Sequence, residues 1–180
     1  MTASASRPRR IVLVGFMGSG KTSVGRALAE LLGWSFADLD ALVEERTGST
    51  VAEIFRTRGE EAFREEERAA AVEACQRERV VIATGGGAFA RAETRRILGQ
   101  DALSVFLECD LEVLLARIPA DGRRPLAGNR ETMRRLYAER EPAYRLADRT
   151  VDASRTGPRE LAVQIAAGLG LGSFEGPSGA

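Results

Sequence analysis

The chain has 180 residues, 26 basic against 26 acidic, is 44% hydrophobic, and contains no histidine. That length and apolar content fit one domain with a substantial core. The missing histidine excludes a Ser/His/Asp triad, an imidazole base and any His-containing zinc or iron site, so proton chemistry falls to carboxylates, Tyr, Cys or the single lysine, Lys21.

The other 25 basic residues are arginines, and the balanced charge argues against a nucleic-acid partner. Cys75 and Cys109 form no CxxC pair and read as buried or half-buried thiols in a reducing compartment. The longest apolar run, 11–17, is too short to span a bilayer. Arg7, Arg9 and Arg10 before it resemble the charged start of a signal peptide, but Gly18, Gly20 and Lys21 follow at once with no cleavage pattern. A cytoplasmic protein without a membrane partner is expected.

In chain order, residues 1–9 read as a frayed tail, and IVLVG (11–15) as a buried parallel strand ending in glycine. Val24, Leu28, Leu31 and Leu32 recur at helical spacing from Lys21 until Gly33 stops the helix. A short strand over 34–38 ends in acid. The segment 39–77 reads as helical pieces punctuated by Gly48 and Gly59. VVIA (80–83) and LSVFLE (103–108) are buried strands, and 149–152 is a weaker one. Helices are expected at 91–98, 111–117, 131–146 and 158–167, and a disordered Gly/Ser-rich tail over 170–180. Alternation of strand and helix predicts an α/β fold with a five-stranded parallel sheet covered on both faces, its ligand site beyond the carboxyl ends of the strands.

The unusual residues cluster at those ends. GFMGSGKT (15–22) fits GxxxxGK[ST] between a strand and a helix. Its glycines allow backbone amides to form an anion nest, Lys21 can reach β- and γ-phosphates, and Thr22 can ligate Mg²⁺. Asp38 and Asp40 stand two apart, which in an extended segment turns both carboxylates toward one site. One could hold Mg²⁺ and the other orient or deprotonate an acceptor hydroxyl; a helix N-cap is the plainer alternative. Gly85, Gly86 and Gly87 permit close approach by a ligand or form a tight turn. Arg64, within FREEERAA, reads equally as a solvated helical face. Arg123 and Arg124 lie in a Pro/Gly-rich stretch that could be a closing lid or an ordinary loop, and Arg140 could be a helix salt bridge or a substrate clamp.

Taken together, GFMGSGKTSVGRALAE, the D-L-D segment, IFRTRGEEAFREEE, TGGGA and RRPLAG resemble the shikimate kinase family, over nearly the whole chain. The resemblance implies a three-layer P-loop NTPase fold of one kinase domain over 1–180, with substrate-binding helices near 39–77 and a mobile lid near 118–130. It implies ATP- and Mg²⁺-dependent phosphorylation of the 3-hydroxyl of shikimate, in aromatic amino acid biosynthesis, by a monomer whose partners are ATP and shikimate. Lys21, Asp40 and Arg124 would be catalytic. Gly18, Ser19, Gly20, Lys21, Thr22 and Ser23 would hold the nucleotide phosphates with Arg124 reaching over them, while Arg117 and Pro158 would sandwich the adenine. Thr22 and Asp38 would hold the metal. Asp40, Arg64, Arg140 and the glycines 85–87 would hold shikimate, with Phe55 and Phe63 walling its pocket. A P-loop kinase for a gluconate-like sugar acid or a nucleotide, or a non-catalytic nucleotide-binding module, are the competing readings; the acid pair and the arginines favour an enzyme.

Overall fold

The computed structural model describes residues 8–118 and 129–169. The expected tails fall largely outside this range, as do Arg123, Arg124 and most of the expected lid. The strands are β1 (Arg10–Val14), β2 (Ser35–Asp38), β3 (Val80–Ala83), β4 (Ala102–Glu108) and β5 (Arg149–Asp152). They pair in parallel in the order β2-β3-β1-β4-β5. The helices are α1 (Lys21–Leu32), α2 (Leu39–Thr47), α3 (Val51–Cys75), α4 (Ala92–Leu98), α5 (Leu111–Arg117), α6 (Arg130–Tyr144) and α7 (Pro158–Gly168).

The three central strands explain the continuous apolar runs. Every residue of β1 and β3 is buried, as are the last residues of β4 before Glu108, because helices cover both faces of the sheet. β5 is an edge strand and largely exposed, which is why its sequence signal is weak. The order places β3 between β1 and β2, so the loops after β1 and β3 leave the sheet side by side.

The expected strand over 34–38 is shorter by one residue, and the extended reading of Asp38-Leu39-Asp40 is corrected. α2 already begins at Leu39, with Asp38 as its N-cap in extended conformation and Asp40 in the first helical turn. Helix α3 opens on a capping box between Thr50 and Glu53 and kinks at Gly59, where φ is 85°. The kink brings Phe55 and Phe63 together, ring centroids 4.8 Å apart.

At the opposite end of the sheet from the phosphate loop, Arg10 is buried under two helix ends. Its Nη1 donates to the Cys75 carbonyl at 2.7 Å and its Nη2 to the Gln100 carbonyl at 2.6 Å, which puts a cation on the carbonyl end of α3. Arg10→Ala is expected to lower the unfolding free energy by about 3 kcal/mol, measured by urea denaturation, with kcat unchanged because the site lies at the other edge.

Candidate active site

The turn from β1 into α1 carries positive φ at Gly15, Gly18 and Gly20. Gly20 is the N-cap of α1 at φ 90°, with no side-chain capping bond, and no acidic residue stands in the first turn. The amides of this turn are therefore disposed toward an anion rather than toward a side chain. Lys21 is buried and folds over the loop, its Nζ donating to the carbonyls of Gly15 and Phe16 at 2.8 Å each. Thr22 Oγ1 donates to Asp38 Oδ2 at 2.7 Å. The other Asp38 oxygen accepts from the amides of Asp40 at 3.1 Å and Ala41 at 3.4 Å. The cap reading of Asp38 holds: one oxygen caps α2, while the other accepts from Thr22 of the phosphate loop.

Beyond β3, the glycine triplet is crowded by charged groups from α2, α3 and α6. A Cβ on Gly85 would lie 2.7 Å from Glu67 Oε1 and 2.8 Å from Asp40 Oδ1, and one on Gly87 would lie 2.6 Å from both terminal nitrogens of Arg64. A side chain at 85 or 87 would displace these charged groups, and the Ala88 amide donates to the Gly85 carbonyl at 3.2 Å, so the triplet is a tight turn that charged side chains approach closely. Arg64 is only 7% exposed and Glu67 1%, so the solvated-face reading of Arg64 is corrected. Arg64 Nη1 donates to Glu67 Oε2 at 2.8 Å, and Nη2 to Glu60 Oε1 at 3.0 Å.

Burial pushes the Glu67 carboxyl above the usual carboxylate range, although Arg64 pulls it down. Burial also opposes the Arg64 charge, but Glu67 and Glu60 outweigh it and hold the guanidinium more firmly protonated. Glu67 Oε1 is buried without a hydrogen-bond partner among the described residues. On α6, Arg140 is buried, with Nη1 3.5 Å from the place of a Cβ on Gly86. Arg117 donates to the carbonyls of Ala153 at 3.2 Å and Ser154 at 2.9 Å, at the start of the segment that leads to Pro158. One cavity of about 230 Å³ joins the two halves of the site, lined by Gly18, Gly20, Lys21, Thr22, Ser23, Asp38, Asp40, Thr84, Gly85 and Arg117.

The shikimate kinase family profile matches residues 17–169. The chain belongs to the shikimate kinase family. It is 45% identical to the shikimate kinase of Nitrobacter winogradskyi over 164 residues, covering 89% of this chain and 76% of that protein. It is 44% identical to the shikimate kinase of Moorella thermoacetica over 160 residues, covering 88% and 92%. Among solved structures, shikimate kinase from Acinetobacter baumannii in complex with shikimate superposes with a TM-score of 0.87 at 38% identity, covering 93% of this chain and 96% of that one. Phosphoryl transfer to shikimate is thus the activity of this chain, on a P-loop kinase fold.

Within this shikimate kinase, the phosphate-loop residues, Asp38, Asp40 and Gly85 share one cavity, and Arg64, Gly86, Gly87 and Arg140 stand beside it. Phe55 and Phe63 pack on one another, with the Arg64 guanidinium 5.1 Å from the Phe63 ring centroid. Pro158 is exposed at the first turn of α7. Arg124 lies outside the described residues. Sequence reasoning passed over Glu67 and Tyr144. The signal for Glu67 was its i+3 spacing from Arg64, which is a pairing distance on a helix. Among the described residues no helix is long and apolar enough to cross a membrane.

Proposed function

We propose that the γ-phosphoryl group of ATP passes to the 3-hydroxyl of shikimate across the cavity between the phosphate loop and the glycine triplet. The observation that carries this reading is the single cavity in which Lys21 and Thr22 meet Asp40 and Gly85. A phosphate nest and a candidate base therefore face one volume, as in-line transfer demands.

The amides of Gly18, Ser19 and Gly20, with Lys21, Thr22 and Ser23, bind the phosphates. Arg124 supplies a further charge over them, and Arg117 and Pro158 flank the adenine. A hydroxyl and a carboxylate, Thr22 and Asp38, stand together as hard oxygen donors that would hold Mg²⁺. When bound, the ion neutralises charge on the β- and γ-phosphates. Asp40 orients the acceptor hydroxyl and takes its proton. Arg64 and Arg140 clamp the shikimate carboxylate, a task for planar forks. Gly86 with Gly85 and Gly87 gives the acceptor a backbone surface, and Phe55 and Phe63 wall its ring. The same reading makes the chain a cytoplasmic monomer.

ADP release in a coupled assay is expected to depend on shikimate and hardly at all on gluconate or nucleoside monophosphates. No shikimate-dependent release would overturn the reading. Arg64→Lys keeps a cation beside Glu67 but removes the fork. Its shikimate KM is expected to rise about a hundredfold, the scale of losing a buried charged pair, with ATP KM unchanged; an equal rise in both would contradict the clamp.

A further inference from the structure

Helix α6 makes a contact on the acceptor side that none of the roles above uses. Tyr144 is fully buried, and its hydroxyl donates a hydrogen bond to the Gly86 carbonyl. Its ring packs on Phe106 of β4, with centroids 5.5 Å apart. One turn earlier, Arg140 faces Gly86 from the same side of the helix.

Burial pushes the Tyr144 phenol well above its ordinary range, against the opposing charge of Arg140. A neutral phenol has one proton and two lone pairs. Here the proton goes to the Gly86 carbonyl, so the phenol holds in place a peptide that has no side chain of its own and that Arg140 approaches.

The same helix stripe reaches the donor side. Tyr137, seven residues before Tyr144 and so two turns away, packs edge-on against Phe16 of the phosphate loop at 5.4 Å. The loop and the triplet are themselves adjacent: the Met17 amide nitrogen lies 3.4 Å from the place of a Cβ on Gly86. α6 thus touches donor loop and acceptor loop at once.

We propose that Tyr144 is a positioning residue for phosphoryl transfer, its hydroxyl fixing the Gly86 peptide, beside Arg140, in register for the acceptor. This rests on the assignment of Gly86 and Arg140 to shikimate. The ring contributes packing; the hydroxyl contributes geometry by removing freedom from the Gly86 peptide before the substrate arrives.

Tyr144→Phe separates the two, because the ring on Phe106 stays. Its shikimate KM is expected to rise about tenfold, the loss of one buried hydrogen bond. ATP KM and kcat should change less than about twofold, and the melting midpoint should fall by no more than about 5 °C. Arg140→Lys, measured in parallel, tests the assignment underneath. A raised shikimate KM in Arg140→Lys with none in Tyr144→Phe overturns the positioning role and leaves the site assignment standing. An unchanged shikimate KM in Arg140→Lys overturns the assignment and the role with it. Equal rises in both KM values in Tyr144→Phe mark a general loosening of the fold and also overturn the role.

Discussion

Lys21→Arg is expected to reduce kcat about a thousandfold, the scale of losing a charge placed where transition-state charge develops, with the melting midpoint nearly unchanged. By the usual ranking this is a mild exchange. Here it is not, because Lys21 is buried and its Nζ lies 2.8 Å from two loop carbonyls. A single compact ammonium fits between these oxygens; a planar guanidinium with its donors in a rigid fork is too broad and points them elsewhere. The composition sharpens the expectation, since all other 25 basic positions are arginine and only this one is lysine. Steady-state kinetics with saturating ATP and shikimate check it. Near-normal turnover in Lys21→Arg would remove the shape requirement.

Asp40→Asn is expected to lower kcat by a comparable factor of about 10³, within the range set for a positioned acid or base, while ATP KM stays close to that of the parent enzyme. The substitution is nearly isosteric. Asp40 is held at the start of α2 by the hydrogen bond its backbone N–H donates to Asp38 Oδ1, and that bond survives in asparagine. What disappears is the capacity to accept a proton beside Gly85. With no histidine in the chain, no imidazole can take over. An unaffected turnover number in this variant would take Asp40 out of the proton path.

Much of this arrangement was legible before any coordinates. β-branched runs locate β1, β3 and β4 because burial on both faces leaves no room for alternation. The phosphate loop is legible because glycine, lysine and threonine are each needed for a separate physical reason at fixed spacing. The start of α2 was less so: Asp38-Leu39-Asp40 carries no periodicity that separates a strand end from a cap, and the capping amides decide it. The burial of Arg64 cannot be read from its own helix, and only the family resemblance points to it. FREEERAA has the composition of a solvated helix, and only the approach of Gly87 and the partnership with Glu67 turn one arginine of that run inward. Tyr144 was equally silent, since its hydroxyl bonds a glycine far away in the chain.

Helix α1 begins on a glycine that offers no oxygen to its first amides. Helices α4 and α7 also start without a side-chain cap, but neither follows a loop of positive-φ glycines. On the proposed reading, a nucleotide phosphate would stand where a side-chain cap stands in α2 or α6, and its binding would add to the stability of α1.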